Sequence, residues 1–378
     1  MSPMKNKLRV TAALDSFKGA LTSVEAGKAV RRGILARVPD AEVSVFSVGD
    51  GGEGTADALI CGLGAVRKKA RVSDTHGSPT NAEYGITADG KTAVLDMASA
   101  AGIRYAAIHG FDIHRSSTYG VGEMIAYLAD CECEHIIVGL GGSGTSDGGI
   151  GALSALGAVF YDENGNEITP CNTSSTGKAA SCNLEPAVMR VKNTAITLLY
   201  DTAVALTGEK GAVKMYSRQK GAHEDELDAM DEAMIRFAAV CDRAVGKQVS
   251  LYPGAGAAGG LGYGLSLIGG KLTAGAEFVL DAVGYTENVK TADLVITGEG
   301  KTDRQTATGK LPMTVALKAG GKPVICLCGV SDPVPELYES GITSVFALAD
   351  RPMAAEESIA QTANLLEKAA YNIAGLFI

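Results

Sequence analysis

Little in this 378-residue sequence equips it for nucleic acid, membranes or disulfide chemistry. The formal net charge is −9, from 43 acidic against 34 basic residues. A phosphate backbone demands clustered Lys and Arg. Only Arg67-Lys68-Lys69 clusters that way, among Ala65, Val66, Ala70 and Val72, which reads as the solvated face of a strand. The eight cysteines never take C-x-x-C spacing. Cys131/Cys133 and Cys326/Cys328 alternate as strand or loop residues do, so metal and redox roles are not needed to explain them. The five histidines lack metal-ligand spacing, and His76 and His223 border glycine turns that suit solvent. No apolar run approaches the ~20 residues of a membrane span. Met1–Val10 shows no charged segment leading into an apolar one, so a cytoplasmic chain is expected.

Two catalytic signatures are also missing. No G-x-S-x-G frames a nucleophilic serine, since Gly142-Ser143-Gly144 is too short. Gly300-Lys301-Thr302 imitates the tail of a P-loop, but the leading glycine should fall at Val295. Any nucleotide must be held by another design.

What is present is glycine, 48 residues of it, set between apolar runs within a 46% hydrophobic chain. A chain this long is expected to divide into two domains. Leu8–Leu14 reads as a buried strand, and a helix should begin near Thr22, where Thr22 and Glu25 have capping-box spacing, and end before Pro39. Glu42–Val48 follows as a strand, giving a βαβα opening and hence a parallel sheet. From about Val72 the pattern changes. Strands flank Asp89-Gly90 as a type I′ hairpin, and a second hairpin turns at Glu163-Asn164-Gly165. Tyr119–Asp130 and Glu224–Val245 have helical spacing, with His135–Leu140 and Ala195–Tyr200 as strands. From Asp293 strands and helices alternate again, through Val324–Cys328, Ser344–Ala349 and a closing helix. The expected fold is α/β with two domains: a parallel-sheet domain from residues 1–72 and 290–378, and an inserted mixed α+β domain over 73–289.

One arrangement recurs: an apolar strand ends and an acidic residue follows, at Asp15, Asp50, Asp201 and Glu299. In open α/β sheets ligands sit at the carboxyl ends of strands. Carboxylates delivered there make a site for Mg²⁺, for a general base, or for both, although any one Asp could equally be a turn residue. Gly141–Gly149 follows a strand and precedes a helix, an anion nest in the making. Gly139, Gly141 and Gly144 satisfy G-x-G-x-x-G, but so do Gly254, Gly256 and Gly259. The acidic residue a nicotinamide site wants after the first match is Asp162, in a hairpin turn, so a dehydrogenase is disfavoured. Glu299 and Asp303 lie near Lys301, Arg304 and Lys310, a mixture suited to a Mg²⁺–phosphate complex or to a solvated ion-pair cluster. Lys18 and Lys220 stand beside glycines and are candidates for holding an anionic group.

Taken in order, these loops resemble the bacterial glycerate kinase family. The resemblance runs through Asp15-Ser16-Phe17-Lys18-Gly19, Asp50-Gly51-Gly52-Glu53-Gly54-Thr55, Thr118-Tyr119-Gly120 with Gly122-Glu123, and Gly141-Gly142-Ser143 with Asp147-Gly148-Gly149. It continues through Gln219-Lys220-Gly221-Ala222 and Pro253–Gly260 to Ile296–Gly300, Asp303, Gln305-Thr306 and Gly309-Lys310. It implies a flavodoxin-like domain with a second α/β domain. It also implies ATP-dependent phosphorylation of D-glycerate with Mg²⁺, 2-phosphoglycerate being the favoured product. On that reading Asp201, Asp147, Lys18 and Lys220 are the catalytic candidates. Asp15, Ser16, Gly51, Gly52, Gly141, Gly142, Ser143, Lys301 and Lys310 bind substrate or nucleotide, and Asp50, Glu299 and Asp303 hold the metal. The partners are then ATP and a small hydroxy acid. The chain departs from the family pattern at Ser146 and Val204, where Asn is usual, at Arg218, where Pro is usual, and at Lys301-Thr302, where Arg-Ile is usual. A kinase for a related hydroxy acid and a non-catalytic ligand-binding homologue are the alternatives.

Overall fold

A computed structural model describes residues 7–332 and 335–377. The chain forms two compact units. The first takes the residues through Asp50, Asp57–Leu63, and everything from Gly275 on; the second takes Gly51–Ala56 and Gly64–Ala274. The strands are β1 (Arg9–Leu14), β2 (Glu42–Ser47), β3 (Val66–Ser73), β4 (Pro79–Ile86), β5 (Thr92–Asp96), β6 (His135–Gly139), β7 (Val159–Tyr161), β8 (Ser181–Asn183), β9 (Ala195–Tyr200), β10 (Lys271–Ala274), β11 (Leu294–Thr302), β12 (Val324–Ser331) and β13 (Ser344–Ala347).

In the first unit β13-β12-β11-β1-β2 form a five-stranded sheet whose neighbours are all parallel. Counted within the unit this is the flavodoxin order 2-1-3-4-5, with its topological switch point between β1 and β11. The helix Ser23–Arg37 starts where Thr22 and Glu25 satisfy each other's backbone N–H groups, and it ends at Val38. Its buried Ala26, Ala29, Val30 and Ile34 meet Leu365, Leu366 and Ile373 of the helix Ala355–Ala374 over Val10, Ala12, Leu14 and Ile296. Each large side chain so buried stabilises the unit by roughly 1.5–3 kcal/mol before entropy is counted.

The segment Gly298–Thr302 is strand, not the loop its glycines and charges suggest. β1 pairs with β11 only as far as Leu14↔Gly298. β12 continues as a partner, with Glu299↔Cys328 and Thr302↔Ser331, so the ladder runs on past the end of β1. Glu299 therefore lies at the strand-end edge with respect to β1 while remaining inside β11.

In the second unit the sheet order is β10-β9-β6-β5-β4-β3, the first four strands parallel and β4 antiparallel to both its neighbours, β5 and β3. The β4–β5 turn does not have the type I′ geometry expected at Asp89-Gly90. Gly90 N–H closes on Thr87 O, and Gly90 alone takes a positive φ, 73°. This is a type I turn finished by a left-handed glycine. Arg67, Lys68 and Lys69 are exposed on the edge strand β3, and Lys69 pairs with Glu83 at 2.9 Å. His76 is not a free turn residue: it is half-buried and stacks on His109, with ring centroids 4.4 Å apart. The long helix Leu227–Val245 is introduced by a short 3₁₀ turn, Glu224–Glu226, and buries Met234, Phe237 and Cys241.

Candidate active site

In the first unit the switch point gathers carboxylates. Asp15 follows β1; its backbone N–H donates to Gly298 O (2.9 Å), and its Oδ1 accepts from Ser16 N–H (2.7 Å). Burial first, then the negative fields of Asp50 and Glu299, push the Asp15 pKa up to about 7. The Ser16 bond and Lys18 oppose that rise without cancelling it. Glu299 is buried, at 6% exposure, and burial raises its pKa as well. Its Oε1 accepts from Thr306 (2.6 Å) and Thr302 (3.4 Å). Lys18 is exposed, and its backbone nitrogen lies beside Gly300. Asp303 forms an ion pair with Lys301 at 3.0 Å and caps Gln305 N–H at 2.8 Å. Lys310 reaches Gln305 at 3.5 Å and contributes positive field to Glu299. A larger hollow of about 820 Å³ is lined by Phe346, Leu348, Tyr371 and Leu376. It lies along β13 and the helix Ala355–Ala374, and in its lining Lys368 is already paired with Asp350 at 2.8 Å.

The second unit holds a cavity of about 250 Å³ lined by Gly141, Gly142, Ser143, Asp201, Tyr216 and Lys220, among others. Glycine makes its walls possible. A Cβ on Gly141 would lie 2.3 Å from the Gly52 carbonyl carbon, and one on Gly51 2.5 Å from that of Tyr200. The turn after Asp50 therefore packs backbone to backbone against the ends of β6 and β9. Asp96, at the end of β5, secures that turn by accepting from Gly54 N–H (3.3 Å) and Ala56 N–H (3.1 Å).

Lys220 is only 2% exposed. Its Nζ donates to Ser143 Oγ (2.8 Å) and to Thr145 O (2.7 Å). Burial lowers its pKa to about 7 although Asp147 acts in the other direction. Asp201 is exposed at the end of β9 and raises the pKa of the neighbouring Tyr216 phenol, after the larger effect of burial.

Asp147 is placed differently from the catalytic role expected of it. It is fully buried and absent from the cavity wall. Oδ2 accepts from Thr118 N–H (2.8 Å), Thr118 Oγ1 (2.9 Å) and Gly151 N–H (3.3 Å), and Oδ1 from Gly149 N–H (3.0 Å). It holds the loop rather than facing a ligand. The anion nest expected over Gly141–Gly149 is likewise shortened. Gly144 N–H goes to Ala101 O and Gly148 N–H to Gly259 O, so the second half of the run is internally bonded.

The structure thus groups Asp15, Ser16, Lys18, Asp50 and Glu299 in one unit, and Gly51, Gly52, Gly141, Gly142, Ser143, Asp201 and Lys220 in the other. Lys301, Asp303 and Lys310 surround the outer end of β11. Asp96 and Tyr216 were missed. For Asp96 the signal was available, because Val94-Leu95-Asp96 repeats the strand-then-carboxylate pattern.

A flavodoxin-ordered sheet with clustered carboxylates, and a mixed sheet carrying a polar cavity with one buried lysine, define a two-unit α/β protein. The sequence model of the Glycerate kinase family matches residues 10–378, and the chain belongs to that family. It is 38% identical over 369 residues to a glycerate kinase of Halalkalibacterium halodurans, covering 97% of each chain. It is 36% identical over 345 residues to the glycerate 2-kinase of Escherichia coli, covering 90% of each. A crystal structure of a Salmonella typhimurium LT2 protein described as a glycerate kinase 2 matches with a TM-score of 0.86 at 33% identity, covering 98% of both chains.

Proposed function

We propose that this chain transfers the γ-phosphoryl group of ATP to D-glycerate, giving 2-phosphoglycerate, as a cytoplasmic enzyme. Beyond family membership, the observation that carries the reading is the cavity itself. About 250 Å³ suits a three-carbon acid, and the wall presents one buried lysine and one carboxylate. Lys220 and Ser143 would then hold anionic oxygen. Asp201 would orient the acceptor hydroxyl and take its proton. Asp147 is a positioning residue that fixes the loop carrying Ser143. Phosphoryl transfer rests on positioning and charge stabilisation, so no covalent intermediate is needed.

In the first unit Ser16, Lys18, Lys301 and Lys310 would receive phosphate oxygens. The donors fit a magnesium ion carried in on a polyphosphate, which takes only one or two carboxylates from the protein. Burial is the first cause of the raised Asp15 pKa, and the negative field that Asp50 and Glu299 add to it is what such an ion would relieve. Asp50 and Glu299 are the proposed ligands, and Asp303, tied to Lys301, is the weaker one. Among the described residues no three His, Cys, Asp or Glu side chains form a metal group by themselves. Bound there, Mg²⁺ would supply charge neutralisation on the nucleotide. Among the described residues no helix is long and apolar enough to cross a membrane, and all eight cysteines are free thiols, which supports the proposed compartment.

Val204, an apolar side chain on the cavity wall, favours a related small hydroxy acid as the second reading. The test is ADP release by the purified protein with ATP, Mg²⁺ and a panel of such acids. Asp201→Asn should lower glycerate-dependent turnover by about 10²–10⁴-fold with unchanged melting temperature. Full activity in that variant would remove Asp201 from the mechanism.

A further inference from the structure

Cys182 and Cys241 belong to different elements of the second unit, yet their sulfurs lie 4.0 Å apart. Cys182 sits in β8, opposite Phe160 of β7, and is half-buried. Cys241 lies in the helix Leu227–Val245 and has no exposed surface. The hairpin and the helix are already packed together, with the Phe160 and Phe237 rings 5.8 Å apart. A disulfide needs its sulfurs at about 2.05 Å, so closure asks for about 2 Å between two adjoining elements.

The structure assigns Cys182 and Cys241 as a peroxide-sensitive thiol pair, with Cys182 the attacking thiol and Cys241 the resolving one. The asymmetry of exposure sets the roles, because an oxidant can reach Cys182 but not Cys241. Electrostatics agrees. The contact with Cys241 lowers the Cys182 pKa against the opposing effect of burial. Cys241 is held well above the usual thiol range by Cys182, by burial and by the neighbouring Asp242. Tyr263 opposes that rise and is itself bonded to Asp242 at 3.2 Å. Cys182 therefore supplies the thiolate while Cys241 keeps its proton.

The oxidant is a hydroperoxide. The Cys182 thiolate attacks one peroxide oxygen, the O–O bond breaks, and the departing alkoxide or hydroxide takes up a proton. Cys182 is left as a sulfenic acid. The Cys241 sulfur then attacks Cys182 sulfur, the S–O bond breaks, and hydroxide leaves as water with the Cys241 proton. Two thiols lose two electrons and two protons, and the peroxide is reduced to an alcohol (or water) plus water. The link would pin the helix whose Met234 Sδ and Phe237 ring edge lie where a Cβ on Gly148 would fall, 2.9 Å from each. Oxidation is thereby coupled to the loop that carries Ser143. The inference does not depend on which acid the cavity takes.

The experiment treats the reduced full-length protein with one equivalent of hydrogen peroxide and maps its peptides without reduction. Two of the eight thiols should disappear, Cys182 should be joined to Cys241, and dithiothreitol should restore both. In Cys241→Ser the same treatment should stop at a sulfenic acid on Cys182, trapped by dimedone. Cys182→Ser should leave Cys241 reduced. If the exposed Cys61 and Cys131 are oxidised while Cys182 stays a thiol in the folded protein, the assignment fails. It fails equally if Cys182 links to any other cysteine.

Discussion

A lysine taken out of water favours its neutral form, and Lys220 shows what that does to stability. Its pKa falls from 10.5 in the unfolded chain to about 7 in the fold. Between those values the unfolded state binds more protons, so stability rises with pH, by at most ~1.4 kcal/mol per unit, and is lost as pH falls toward 7. Lys220→Met should abolish that slope in denaturant titrations from pH 7 to 10 and remove glycerate-dependent turnover. A variant that keeps the wild-type slope would place its origin elsewhere. Asp15 carries the opposite conflict, a carboxylate taken out of water and then crowded by Asp50 and Glu299. Asp15→Asn should raise the melting temperature of the ligand-free protein at pH 8 and weaken Mg-ATP binding in calorimetry. A residue kept against stability in this way is expected where binding supplies the missing charge. Lowered stability together with unaltered nucleotide affinity would show Asp15 to be structural.

At the scale of elements, the cavity depends on backbones that touch. Gly51 has φ 100°, and a Cβ there would strike the Tyr200 carbonyl carbon and Asp201 N, at 2.5 and 2.9 Å. Gly51→Ala should cost at least ~2 kcal/mol in denaturant unfolding and displace Asp201 enough to cut turnover more than about tenfold. Thr22→Ala removes only a cap and should cost about 1 kcal/mol with activity intact. The contrast also explains what the sequence revealed. The Thr22–Glu25 box, the stop before Pro39 and the strand Ala195–Tyr200 are local patterns, and they are where the reading places them. The extension of β11 through Thr302 was hidden because it depends on β12, whose residues lie about thirty positions later. Asp147 looked like a ligand-facing acid because nothing adjacent to it shows that Thr118 and Gly151 will surround it. Carboxylates at strand ends could be read; which of them face a ligand depended on contacts far apart in sequence.

For the whole molecule, the flavodoxin-ordered sheet is assembled from both ends of the chain, and the polar cavity is built from the middle. Each unit brings a distinct chemistry, crowded carboxylates in one and a buried lysine with an exposed aspartate in the other. In a protein of net charge −9 with 34 basic residues, Lys220 is buried at 2% exposure on the wall of that cavity. The most direct test of the account is to incubate the protein with ATP, Mg²⁺ and D-glycerate and follow the products by ³¹P and ¹H NMR. ADP and 2-phosphoglycerate should form in equal amounts, and neither should form without glycerate. Phosphate on the C3 oxygen would overturn the product assignment. ATP left intact with glycerate present, in a folded protein that binds both, would contradict the kinase reading itself.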